Sequence, residues 1–145
     1  MTGALENLVR LNRWQLDVKR RKLADLERLA ERLREDLARL DQGIEAERRA
    51  AEASEDARQA YPAFITAELQ RRQRLEASIA DVENELEDAR DEVAIAFQEL
   101  KKYELALENQ RRRDREQQER QEQATLDEIG VDRHRRRKSD GTNNE

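Results

Sequence analysis

Residues 75–107 read LEASIADVENELEDARDEVAIAFQELKKYELAL. Within this run Leu75, Ile79, Val82, Leu86, Ala89, Val93, Ala96, Leu100, Tyr103 and Leu107 follow one another at intervals of four and three, and all are apolar. An α-helix gathers such positions into one narrow stripe, while the intervening residues are mostly Glu, Asp, Arg and Gln. A helix of this kind is buried along one side only, so it requires a partner helix.

The partner lies upstream. Leu23, Leu26, Ala30, Leu33, Leu37, Leu40 and Ile44 form a second seam in the alternate phase, and the same frame extends to Leu16, Val9 and Leu5, interrupted by Lys19 and Asn12. A further stripe of Leu8, Leu11, Trp14 and Val18 makes the apolar face there wider than one partner helix needs. Composition agrees with a thin helical core. The chain has 145 residues, of which 43% are charged and 36% hydrophobic, with four Gly and one Pro. The punctuation required by sheets is missing, and uniform disorder does not account for leucines held in register.

Pro62 is tolerated at the first position of a helix and disfavours helical geometry at Tyr61, so the sequence predicts a turn. The expected fold is all-α: two long helices in an antiparallel coiled-coil hairpin over residues 1–130. Helix one covers about 4–57, the turn about 58–61 and helix two about 62–128. One kinked helix that dimerises in parallel is the alternative. If the chain reverses around Gln59 and Ala60, facing residue numbers sum to about 119, which pairs Ile44 with Leu75, Leu37 with Val82 and Leu33 with Leu86. Flanking charges are mixed, since Arg34 complements Glu83 whereas Asp41 and Glu76 would repel.

Beyond Leu107 the seam fails at Gln110, Asp114, Gln117 and Gln121, so a solvated helical extension is expected, with Gly130 as its stop. The basic and polar tail, residues 131–145, carries Arg133, His134, Arg135, Arg136, Arg137 and Lys138 and is expected to be disordered.

No constellation resembles an active site, so the expectation is a non-enzyme without cofactor or metal. The lone His134 sits among arginines, and neither a glycine-rich phosphate loop nor metal-ligand spacing occurs. Absent cysteine fits a reducing compartment, no apolar run spans a bilayer, and no secretion signal is read at the start, which together suggest a cytoplasmic protein. A net charge of −5 argues against nucleic acid as a partner. Two places carry apolar residues beyond the seam. Around Trp14, the residues Leu8, Arg10, Leu11, Arg13 and Val18 with Lys101 and Lys102 form either a packing face near Leu105 or a docking surface. At the expected hairpin tip, Tyr61, Phe64, Ile65 and Leu69 either cap the coiled coil or meet a partner.

The opening LENLVRLNRWQLDVKRRKLADLE, the turn YPAFI and the late run FQELKKYELALENQRRR resemble the flagellar type III export protein FliJ family over nearly the whole chain. The resemblance implies a bacterial export component and general export chaperone, peripheral to the flagellar basal body at the inner membrane and touching the membrane only indirectly. Its implied partners are the hexameric export ATPase, at the Trp14 end, the regulatory subunit of that ATPase, and the large subunit of the export gate, at the Tyr61 end. Export chaperones are further implied partners. A self-associating structural coiled coil with no export role is the alternative.

Overall fold

The computed structural model describes residues 2–142, which form two helices, α1 (Thr2–Ala53) and α2 (Glu55–Thr142), with no strand among the described residues. They contribute to two compact units. One joins the chain up to Leu11 with the chain from Leu100 onward, and the other is Asn12–Glu99.

In Asn12–Glu99 the two helices lie against each other along the anticipated seam. Leu16, Ala30 and Leu40 of α1 and Val82, Leu86 and Ala89 of α2 are buried, and Leu23, Leu26, Leu33, Leu37, Ile44, Leu75, Ile79, Val93 and Ala96 are half-buried. The polar interruptions keep their places in the stripe, Asn12 buried and Lys19 half-buried. Two helices alone enclose little: Ala30 and Ala89, at 1% exposure, are the most completely covered residues, and no large side chain is fully enclosed among the described residues. Stability therefore comes from the length of the stripe. Its centre is a cluster of Ala30, Val82 and Leu86, with Leu23, Leu26, Leu29 and Leu33 against it.

The break falls at Ser54, upstream of the predicted turn at 58–61. The residues here explain it. The Ser54 hydroxyl accepts a 3.5 Å hydrogen bond from the Ala57 amide, as an N-cap does, and Glu55 and Asp56 in the first turn of α2 complement the positive end of its dipole. At the end of α1, Arg58 Nε donates to the Ala51 carbonyl at 3.3 Å, satisfying an acceptor that the helix terminus leaves open. Pro62, expected to open helix two, lies inside α2 instead. Its missing amide leaves α2 one helical hydrogen bond short, while its carbonyl accepts from Thr66 Oγ1 at 2.9 Å.

An earlier reversal slips the pairing. The cross-helix ion pairs Lys19–Glu92, Lys22–Glu92 and Arg72–Asp41 join residue numbers that sum to less than those of the expected flanking pair Arg34–Glu83, which forms as well. Ala30, expected opposite Ala89, clusters with Val82 and Leu86. A whole-heptad slip returns apolar positions to apolar positions, so the stripe tolerates it. The repulsion expected between Asp41 and Glu76 is resolved by Arg72, whose guanidinium donates to Asp41 at 2.8 Å and also bonds Glu76.

In the other unit Val9, Leu100 and Leu107 are buried, Leu5 and Tyr103 are half-buried, and Arg111 donates to Glu6 at 3.0 Å. From Arg111 to Gly141 every residue is exposed. α2 nevertheless passes through Gly130 and continues to Thr142, so the expected stop and the expected disorder of the basic segment are not what residues 131–142 show. Strong helix formers and i,i+4 contacts such as Gln118–Glu122 and Gln123–Asp127 support the helix without a partner. Residues 143–145 of the expected tail lie outside the described residues.

Candidate functional site

Within Asn12–Glu99 the broadened α1 face proves to be open. Trp14 is 60% exposed and Val18 39% exposed, and both lie outside the seam. With Ile95, Ala96 and Glu99 of α2 they border a groove of ≈ 500 Å³ along one side of the helix pair. Lys19 and Glu92 also line it, and Lys19 Nζ and Lys22 Nζ each reach Glu92 Oε2 at 3.4 Å. Hydrogen bonds from Lys19 and then Lys22 hold the Glu92 carboxyl below its usual range. The groove thus offers an indole, two aliphatic side chains and a closed ion pair. Such a set suits the apolar face of a helix rather than a reaction.

The remaining residues expected at this docking surface fall in both units. Arg13 is exposed in Asn12–Glu99, whereas Leu8, Arg10, Leu11, Lys101 and Lys102 are exposed in the other unit. Lys101 Nζ pairs with Glu104 at 3.3 Å, and Lys102 Nζ sits 5.4 Å from the centre of the Tyr103 ring. Leu105 is itself 58% exposed.

The aromatic set downstream is placed differently. Because the break is at Ser54, Tyr61, Phe64, Ile65 and Leu69 stand roughly two to four turns into α2 rather than at the reversal. Tyr61 and Phe64 are half-buried with ring centres 6.4 Å apart. Phe64 faces α1, lining a groove with Leu40 and Gly43. Ile65 is half-buried as well. Leu69, at 52% exposure, is the open member of the four.

Residues 1–139 match the flagellar FliJ protein family. The chain belongs to this family. No curated protein and no solved structure matches it. Membership in the FliJ family gives the chain a role in flagellar export and places its partners in the flagellar export apparatus. The family is a non-enzymatic export component. No helix among the described residues is long and apolar enough to cross a membrane.

For this FliJ-family chain, sequence reasoning identified Trp14 and Val18 but missed Ile95, which is 61% exposed across the groove from them. The signal was available: Ile95 is a large aliphatic residue between the seam positions Val93 and Ala96, where a solvated face calls for a polar one. Glu99 was likewise unmarked, because a single carboxylate carries no local distinction in a chain with 34 Asp and Glu.

Proposed function

We propose that this chain is a coiled-coil adaptor and general chaperone of flagellar export, which docks to the export ATPase hexamer and links it to the membrane export gate. It works by binding alone, in the cytoplasm beside the basal body. The observation that carries this reading is the 60% exposure of Trp14 on a helix whose seam is already occupied. A Trp beside Arg13 and Val18 is the kind of anchor on which binding energy concentrates. Leu8, Arg10, Leu11, Lys101 and Lys102 extend the ATPase contact, and the ATPase's regulatory subunit and export chaperones are further partners under this reading. Tyr61, Phe64, Ile65 and Leu69 serve the large subunit of the gate, with Leu69 as the exposed contact.

The test uses purified export ATPase and measures its binding to this chain and to Trp14→Ala by titration calorimetry, with circular dichroism in parallel. Truncating an anchor costs about 2 kcal/mol, so affinity falls roughly 30-fold while helicity is retained. Unchanged affinity would remove Trp14 from the interface, and a parallel loss of helicity would make it a structural residue.

A further inference from the structure

The segment of α2 beyond its paired region has a face that neither the seam nor the adaptor reading uses. Leu126 and Ile129, at 62% and 44% exposure, are followed at helical spacing by Arg133, Arg136 and Arg137, and these five positions share one side of the helix. The acidic residues of the segment, Asp127, Glu128 and Asp132, occupy other positions around the axis. Arg135 and Lys138 add positive charge on the remaining sides. We propose that the α2 segment Leu126–Lys138 docks on an anionic lipid surface.

Several features favour lipid over other anionic partners. A bilayer surface is a continuous sheet of phosphates above an apolar layer. It can take up Leu126 and Ile129 at the acyl boundary while Arg133, Arg136 and Arg137 remain among the headgroups. Basic charge spread around the axis suits such a delocalised surface better than the discrete carboxylates of a folded partner. The described segment after Tyr103 contains no Phe, Tyr or Trp on which a nucleic-acid base could stack. Reach is also provided, since the exposed helix from Arg111 to Lys138 is about 40 Å long. Finally, the five Lys and Arg of 133–138 sit in a chain whose net charge is −5, so the remainder is net −10 and an anionic surface repels it. Attachment must therefore be confined to this segment.

The test is sedimentation of the full chain with vesicles of phosphatidylcholine, with and without about one-third phosphatidylglycerol, at low and high salt. Each basic residue near an anionic surface raises partitioning about fivefold, so Arg133→Gln, Arg136→Gln and Arg137→Gln together lower it about 100-fold. Leu126→Ser with Ile129→Ser lowers vesicle binding without changing binding to labelled duplex DNA. Both sets lie on an exposed helix, and circular dichroism checks that they leave the fold unchanged. Millimolar inorganic phosphate should not displace the chain from vesicles. Failure of the wild-type chain to sediment with phosphatidylglycerol vesicles would overturn the proposal. So would equal binding by the arginine variant, equal binding to pure phosphatidylcholine, displacement by phosphate, or tighter binding to duplex DNA than to vesicles.

Discussion

Replacing Leu86 by Ala tests the seam at its centre. Leu86 is 4% exposed and belongs to the cluster with Ala30 and Val82. The substitution removes three carbons from a nearly dry site, which by transfer alone costs about 2.4 kcal/mol. A rigid cavity would raise this towards the top of the range of about 2–5 kcal/mol. The neighbours here, Leu26, Leu29 and Leu33, are half-buried and at the edge of a two-helix layer, so they can close over the gap. The expected cost is therefore about 2.5–3 kcal/mol. In urea unfolding followed by far-UV circular dichroism, a slope of about 2 kcal/mol per molar converts this to a midpoint lower by roughly 1.2–1.5 M. Leu105→Ala is the control: at 58% exposure it should cost under about 0.5 kcal/mol. A Leu86→Ala midpoint no lower than that of Leu105→Ala would refute the assignment of the core to this stripe.

The break at Ser54 makes opposite demands on two neighbours. Pro62→Ala restores an amide to the interior of α2 and should stabilise the chain, by up to about 3 kcal/mol, whereas Ser54→Ala removes a cap and should cost about 1 kcal/mol. If thermal unfolding shows Pro62→Ala to be destabilising, the reversal belongs near 58–61 after all. Glu45 is held down to about 2, against 4.5 for an unperturbed glutamate, mainly by the hydrogen bond from Arg48, with the charges of Arg48 and Arg49 adding to it. A depressed carboxylate stabilises the folded chain fully above pH 4.5, and the contribution is lost as pH falls through about 2. Carbon-detected NMR should place the Glu45 midpoint near the lower value, and a midpoint at 4.5 would mean that the Arg48 contact does not form. Asn12, buried at a seam position, should raise the melting temperature when replaced by Leu; a lower melting temperature would show that its polar contacts outweigh burial.

The two helices and their facing stripes were legible because the hydrophobic period is unbroken: every position predicted for the seam between Leu16 and Val93 is buried or half-buried. Even Lys19 and Asn12, read as interruptions, obey the period. The turn was misread because Pro62 is the louder signal. The quieter one, Ser54 followed by Glu55 and Asp56, describes a helix start that a long helix-forming run obscures. The groove was half legible, through Trp14, while its α2 wall at Ile95 became visible only once two distant segments were brought side by side.

Taken alone, the amino-acid sequence determines that this chain is helical and which stripe of each helix is covered, since both follow from local propensity and spacing. It also supplies two stripes that complement each other in phase. Register, the point of reversal and the openness of the Trp14 face were decided by tertiary structure. A coiled-coil stripe is periodic, so pairings one heptad apart bury nearly the same atoms, and only the cap at Ser54 and cross-helix contacts such as Arg72 with Asp41 select among them.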